Sequence, residues 1–446
     1  MQKMLLVLSG IAVIVAGSLT LFVTRLPTSA FDNDIAATKA TPELLIRGEM
    51  VARQADCVAC HSTPVSKPFV GGLEMDTPLG SIFATNITPD KTTGIGNYSL
   101  ADFDRAVRHG VTPDGRRLYP AMPYPSYAKM TDDDITALYA FFMNDVAPVK
   151  QLNEPADIEW PLNIRWPLAL WNAMFVDGGV YAQKPGKDER WNRGAYLVQA
   201  AGHCGACHTP RGLGMNEKGL DELSPDFLSG AVLDGWYAPS LRQDHNTGLG
   251  RWSEEDIFQF LKNGRNRHAV VFGSMTEVYN NSLQFMTESD LRAISHYLKS
   301  LPGDPSGDGA PWRYVEAPTS ISISKRTPGE QTYAERCGFC HGPDGRGQNQ
   351  WISPLAGAAS SLIEHTDSQI NVVLNGSVRV VSNTVPGAYR MPPFREQLTD
   401  KEIADVLTYV RSAWGNHGKT VAEEDVKGLR QHTDPASSDP IILQMR

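Results

Sequence analysis

All six cysteines of this 446-residue chain fall in three copies of one pentapeptide: Cys-Val-Ala-Cys-His from Cys57 to His61, Cys-Gly-Ala-Cys-His from Cys204 to His208, and Cys-Gly-Phe-Cys-His from Cys337 to His341. An even cysteine count invites three disulfides in an exported protein, but no cysteine stands outside the pentapeptides to serve as a disulfide partner or a nucleophile. Cys-x-x-Cys-His is the spacing of covalent haem attachment. Two thiols one helical turn apart can add to the two vinyl groups on one edge of a haem, and the next residue then lies under the iron, where its imidazole becomes the proximal ligand. With six Cys and eleven His in the chain, chance supplies about 0.002 copies of the motif. A zinc site would pair two Cys-x-x-Cys hairpins, whereas each repeat here holds one dithiol. A thioredoxin-like dithiol would need a βαβ pattern, which the sequence lacks. The expectation is three covalently bound haem c groups, held by Cys57 and Cys60, Cys204 and Cys207, and Cys337 and Cys340, with His61, His208 and His341 as proximal ligands.

The sixth ligand is sought among methionines. Met122 lies in Tyr119-Pro120-Ala121-Met122-Pro123 and Met391 in Tyr389-Arg390-Met391-Pro392-Pro393, where flanking prolines would hold a thioether rigidly. The middle repeat offers Met275 in Gly273-Ser274-Met275, with Met286 as a rival. Each methionine is expected in a loop before the last helix of its repeat. Methionine often merely fills a core, but recurrence at one place in three repeats favours ligands. His109, His203, His245, His268 and His296 could compete, yet none recurs in register. Histidine–methionine ligation raises the reduction potential and closes the iron to substrate, which suits electron transfer. Tyr98 and Trp252, in equivalent loops, could hydrogen-bond haem propionates or simply pack beside the haem.

The elements that must position these residues recur with them. A helical stretch runs into each pentapeptide, through Arg47-Gly48, Arg193-Gly194 and Gly329-Glu330. A polar loop follows, then a short helix expected over Leu100 to His109, Glu254 to Lys262, and Ser368 to Leu374, each stopped by a glycine (Gly110, Gly264, Gly376) as a C-terminal cap. Every repeat closes with a helix opened by Thr131-x-x-Asp134, Thr287-x-x-Asp290 or Thr399-x-x-Glu402, the capping signature. Apolar residues then recur at helical spacing, for example Ile135, Leu138, Phe141 and Phe142. Pro148, Pro302 and Gly415 mark the ends. The expected architecture is all-α: a small helical domain made three times, over 43–150, 190–302 and 328–416, with linkers at 151–189 and 303–327 and a tail at 417–446.

The formal net charge of −9 argues against nucleic acid as a partner, because a phosphate-binding surface needs clustered Lys and Arg. Residues 1–30 carry one uncharged run, Met4 to Val23, between Lys3 and Arg25. About 20 helical residues reach about 30 Å, enough to cross a bilayer. The length favours a retained anchor, while Thr28-Ser29-Ala30 offers small residues suited to signal cleavage. Either way the rest of the chain is exported. Between the first two repeats, Trp160, Trp166 and Trp171 lie among Pro161, Leu162, Ile164, Leu168, Leu170 and Phe175. That stretch is either a surface for membrane or protein or a linker packed between domains.

The whole pattern resembles the tri-haem cytochrome c subunit of membrane-bound gluconate 2-dehydrogenases and alcohol dehydrogenases of Gram-negative bacteria. The resemblance spans about Leu45 to Arg430. It is carried by Asp56 to His61, Thr85-Asn86-Ile87-Thr88-Pro89-Asp90, Leu118 to Pro123, Gly202-His203-Cys204 through Arg211, and Ser412-Ala413-Trp414-Gly415-Asn416. It implies three tandem class I-like cytochrome c domains with Met122, Met275 and Met391 as distal ligands. It also implies a separate flavoprotein or quinoprotein catalytic subunit, and delivery of electrons to ubiquinone at the periplasmic face of the cytoplasmic membrane. The chain itself would be a non-catalytic electron-transfer subunit. The overall pattern lies nearest the gluconate members. Alternatives are a cytochrome serving an alcohol, aldehyde or sorbitol dehydrogenase or a molybdenum hydroxylase, and a self-sufficient haem enzyme, which would need one repeat without a distal ligand. Some members end in a hydrophobic helix, whereas this chain stops at Ile441 to Arg446 without one, so attachment is expected of the N-terminal run or of surface contacts.

Overall fold

The computed structural model describes residues 2–33, 40–64, 66–177, 179–304, 308–316, 326–383, 385–437, 442–443 and 445. Parts of the expected linker at 303–327 and of the C-terminal tail, Ile441, Gln444 and Arg446 among them, lie outside these. The chain forms two compact units, Met1–Ala182 with Leu443–Arg446, and Gln183–Ile442. The first holds one pentapeptide and the second holds two.

Each pentapeptide sits beside a crossing of two helices. An opening helix packs on a closing helix: Pro42–Gln54 on Asp132–Asn144, Glu189–Gln199 on Glu288–Ser300, and Pro328–Thr332, continued by a π-helical turn over Tyr333–Cys337, on Asp400–Ser412. Glycine makes the crossings possible. A Cβ at Gly48 would stand 2.1 Å from the Ala137 carbonyl oxygen, one at Gly194 2.0 Å from that of Ala293, and one at Gly329 2.1 Å from that of Asp405. The closing helices bury their apolar stripes, including Ile135, Leu138 and Phe141, then Leu291, Ile294 and Leu298, then Ile403, Val406 and Leu407, at about 1.5–3 kcal/mol for each large side chain.

The caps follow the sequence signatures. Thr131, Thr287 and Thr399 each accept the backbone N–H three residues on. In the first two repeats the acid at that third position also binds the opening helix: Asp134 pairs with Arg47 at 2.8 Å, and Asp290 with Arg193 at 2.7 Å. In the third repeat Glu402 returns to the Thr399 N–H at 2.8 Å and completes the reciprocal box. The short helices run over Leu100–His109, Glu254–Asn263 and Asp367–Asn375, and end at Gly110, Gly264 and Gly376 with φ of 61°, 67° and 73°.

The all-α expectation needs correction, because short strands build three small sheets among the described residues. β1 (Glu74–Thr77), β2 (Gly80–Phe83) and β3 (Asp157–Ile158) form one antiparallel sheet in that order. β4 (Ala231–Leu233) pairs with β5 (Trp236–Ala238), and β6 (Val381–Ser382) with β7 (Val385–Pro386). These loops run extended, and their backbone N–H and C=O groups find partners by pairing. Segments of two to four residues are too short to show an alternating pattern.

The described residues of the stretch expected as the first linker, and those of the tail, form elements too. Residues 151–189 supply β3 and a helix, Pro167–Phe175. Its inner face packs on the first repeat: the Trp171 ring lies 6.0 Å from that of Tyr124, and Asn172 bonds the Tyr124 hydroxyl and the His109 carbonyl. Leu170 and Met174 on its outer face are exposed, as are Trp160, Leu162 and Trp166 in the stretch before it. This helix contacts the N-terminal helix, Gln2–Thr24. Beyond that helix, the Arg25 and Pro27 carbonyls accept from Arg117 and Arg105, and Ser29 donates to Asp104 at 2.6 Å. In the tail, the helix Glu423–His432 inserts Val426 into the third core.

Candidate haem sites

The pentapeptides form single helical turns. The His61 N–H donates to the Cys57 carbonyl and the His208 N–H to that of Cys204, both at 3.0 Å, so the paired thiols stand one turn apart. Asp56 and His203, each immediately before the first cysteine, enter the turn with left-handed φ of 47° and 35°. Burial pushes the Cys57 and Cys204 thiols up to about 12 and that of Cys337 up to about 11. Such thiols stay protonated at neutral pH and make poor free nucleophiles. None of the six cysteines is joined to another in a disulfide.

Each pentapeptide histidine is anchored twice by backbone. Its carbonyl accepts a glycine N–H at 2.8 Å: Gly71 for His61, Gly230 for His208 and Gly347 for His341. Those glycines have φ of 79°, 97° and 68°, a left-handed region that other residues enter at a cost. Its ring Nδ1 meets a carbonyl further along: Thr85 at 2.6 Å, Pro239 at 2.7 Å and Ser353 at 3.2 Å. A carbonyl only accepts, so Nδ1 must carry the proton and Nε2 keeps its lone pair for a metal. Burial lowers all three imidazoles below their ordinary range, outweighing the carbonyl bond that raises them, and keeps the rings neutral.

The methionines occupy unlike settings. The Met391 N–H donates to Ser377 Oγ and its carbonyl accepts the Ser377 N–H, both at 3.0 Å. Its side chain packs, with Cys337, on the apolar cluster of the third repeat. Met122 is half-buried, and its carbonyl accepts the N–H of buried Tyr124 at 2.8 Å. Met275 departs from the expected loop and lies in the first turn of a helix, Ser274–Asn281, that starts after Gly273 at φ 59°. Tyr124 and Tyr279, shortly after Met122 and Met275, each press a ring against the capping glycine, Gly110 or Gly264. Met286, the rival, lines a small cavity with Lys262, Tyr279, Gln284 and Leu291.

The competing histidines have their own partners. His203 Nδ1 meets the Ala201 carbonyl at 2.8 Å, and His296 lies 3.0 Å from Glu254 and 3.5 Å from Asp188. His268 stacks on Trp252 with centroids 5.2 Å apart, which assigns Trp252 a packing partner. Tyr98 is half-buried, and its carbonyl accepts the Tyr139 hydroxyl at 2.9 Å.

Several buried polar atoms await a partner that the protein does not provide: Trp414 Nε1 in the third repeat, Trp312 Nε1 packed against its core from the preceding stretch, and Thr276 Oγ1 beside Met275. An unsatisfied buried group costs about 1–3 kcal/mol. The Trp414 ring lies 5.2 Å from that of Tyr333, at the turn that ends on Cys337. Paired thiols, neutral imidazoles with a free Nε2, a thioether and spare donors together fit a haem.

The orienting carbonyls were not foreseen from residue types, because a backbone oxygen has no side-chain signature. Thr85 does stand in the Thr-Asn-Ile-Thr-Pro-Asp segment singled out from sequence, and a glycine follows each pentapeptide, but at a different distance each time.

The cytochrome c family model matches residues 192–302 and 327–414. The chain is 48% identical over 406 residues to the cytochrome c subunit of the quinone alcohol dehydrogenase of Gluconacetobacter polyoxogenes, covering 90% of this chain and 86% of that one. It is 46% identical over 413 residues to the gluconate 2-dehydrogenase cytochrome c subunit of Pantoea cypripedii, covering 89% and 92%. It is 37% identical over 406 residues to the fructose dehydrogenase cytochrome subunit of Gluconobacter japonicus, covering 86% and 82%.

Proposed function

The chain belongs to the family of cytochrome c subunits of the alcohol and gluconate dehydrogenases, and from that premise we propose that it carries three haem c groups and passes electrons from a catalytic dehydrogenase subunit to ubiquinone, at the periplasmic face of the cytoplasmic membrane. One observation carries the count of three: a neutral imidazole with Nδ1 on a backbone carbonyl occurs at His61, at His208 and at His341. Each carbonyl orients its ring and raises its basicity as a ligand. Cys57 and Cys60, Cys204 and Cys207, and Cys337 and Cys340 would hold the three groups covalently, and Met122, Met275 and Met391 would join His61, His208 and His341 as iron ligands. When bound, haem c supplies a reversible one-electron change of the iron. With a histidine and a methionine both engaged, the iron would be closed to substrate, and the chain would conduct electrons without transforming a substrate.

The exposed Trp160, Leu162, Trp166, Leu170 and Met174 lie on a segment whose helix contacts Gln2–Thr24, a helix apolar enough to cross a bilayer. We assign that face to the membrane interface, where Trp is enriched. Because these side chains point outward, replacing Trp160 and Trp166 should weaken the association of the complex with vesicles without unfolding it. The relatives at 48% and 46% identity name alcohol and gluconate enzymes. Those names support assaying the complex on gluconate first and on alcohols next. Intact-mass measurement of the mature chain tests the core of this reading. Three added haem groups are expected, and two would refute it. Rapid stoichiometric carbon monoxide binding by the reduced protein would refute the closed irons.

A further inference from the structure

The carbonyl that orients His208 belongs to Pro239, the residue directly after β5, so its position depends on the β4–β5 ribbon. That ribbon is held by the third repeat. Ser368, in the first turn of the short helix Asp367–Asn375, takes both backbone groups of Tyr237: the Tyr237 N–H donates to Ser368 Oγ at 2.8 Å, and the Ser368 hydroxyl donates to the Tyr237 carbonyl at 3.0 Å. Asn371, one turn on, donates to the Gly235 carbonyl at 3.0 Å. The Tyr237 ring stacks on the imidazole of His365, with centroids 4.4 Å apart and planes 14° apart. Its hydroxyl end closes over Gly230, where a Cβ would stand 2.3 Å away. Gly230 is the residue whose N–H holds the His208 carbonyl. Tyr237 thus adjoins both anchors of His208, while its own backbone and ring are gripped from another repeat.

We infer that Ser368 and His365 of the third repeat are positioning residues for the second haem site, acting on His208 through Tyr237. The inference rests on His208 being an iron ligand. An isolated two-stranded ribbon is marginal in water, so a carbonyl at its end is only as fixed as whatever clamps the ribbon. A well-placed acceptor on Nδ1–H makes the imidazole a stronger donor and favours the ferric state. Removing the Ser368 hydroxyl frees two backbone groups of Tyr237, slackens the Pro239 carbonyl and weakens that donor. The reduction potential of the second site then rises.

The test is a potentiometric titration of the intact, haem-loaded complex, followed by low-temperature electron paramagnetic resonance. Ser368→Ala should move one of three midpoint potentials upward and alter one low-spin signal, the same one that Met275→Leu alters. Ser368→Thr, which keeps the hydroxyl, should restore it. Arg251→Gln removes a different bond across the same seam, from the Arg251 guanidinium to the Gly357 carbonyl, and should leave that potential in place. Three unchanged potentials in Ser368→Ala, or three moving together, would overturn the inference. If Met275→Leu leaves every low-spin signal intact, the axial assignment falls instead, while a single shifted component in Ser368→Ala still supports the clamp.

Discussion

The first and second repeats place the same device between the pentapeptide histidine and the carbonyl that orients it, a two-stranded ribbon, and then close it in different ways. β1–β2 acquires a third strand, β3, from the stretch after its own closing helix, with Gly80 opposite Ile158 and Ser81 opposite Asp157. β4–β5 stays two-stranded, and a helix of the third repeat bonds it through Ser368 and Asn371. The third repeat has a single antiparallel bridge there, Gln348 opposite Ile352: Ser353 follows His341 by 12 residues, against 24 and 31 in the others, and its bond is longer, 3.2 Å against 2.6 Å and 2.7 Å. The same pentapeptide is therefore mounted on three unequal supports. What individualises a site is the loop behind the histidine and whatever braces that loop.

The severest way to break the comparison is to remove what the repeats share. Gly48→Val, Gly194→Val or Gly329→Val puts a side chain within about 2 Å of the facing backbone, which neither element can yield. A loss on the order of 3–5 kcal/mol is expected, visible as a lowered unfolding midpoint in the affected repeat by Soret absorbance. Next come the glycines under the histidines. At Gly71 a Cβ would meet the Ala84 carbonyl at 2.4 Å, whereas at Gly230 it would first meet the Tyr237 hydroxyl, a side-chain end that yields only by shifting the ring stacked on His365. Gly71→Ala should cost about 2–4 kcal/mol and Gly230→Ala about 1–2 kcal/mol, compared by denaturant titration; the reverse order would show the self-closed ribbon to be the more forgiving.

Acidity separates the repeats more gently. Burial holds His203 below the ordinary imidazole range, so the fold keeps it neutral where the unfolded chain takes up a proton, near pH 6.5. Stability is full above that pH and falls as pH drops through it toward the folded value, by up to about 1.4 kcal/mol per pH unit. No histidine stands at that place in the other repeats, where Asp56 and Arg336 precede the first cysteine. His203→Gln should flatten the slope of the second unit's melting midpoint between pH 7.5 and 5.5, leaving that of the first unit unchanged. The smallest effect is expected of Asn371→Ala, which removes one bond to the ribbon at about 1 kcal/mol. Differential scanning calorimetry should place the change in the unit that holds the second and third repeats.

Much of this molecule could be read from residue types, and the legible parts share a property. Ser99 and Ser253 cap their helices with Asp102 and Asp256, Thr399 does so with Glu402, and Gly110 and Gly264 stop helices with left-handed φ. In every case the partners lie within about one helical turn, so the interaction is spelled in the order of the side chains. The pentapeptides are legible for the same reason: one turn brings two thiols and an imidazole together whatever surrounds them. Met275 was mislocated because its neighbourhood lacks the prolines that flank Met122 and Met391, and nothing else nearby signalled the helix that starts at Ser274.

Tertiary structure alone decided which backbone oxygen orients each imidazole, where the ribbons form and what clamps them. Thr85, Pro239 and Ser353 contribute carbonyls, which every residue possesses, so their identity carries no mark. The clamp on β4–β5 joins groups 131 and 136 residues apart, a distance over which no periodicity or capping rule speaks. Gly48, Gly194 and Gly329 were visible as glycines, but the reason for them, a facing carbonyl where a Cβ would need to be, exists only once two helices have crossed. Covalent chemistry and helix ends are local and are set by side-chain order; the shaping of one haem site against another is made by backbone atoms, and folding must bring those together first.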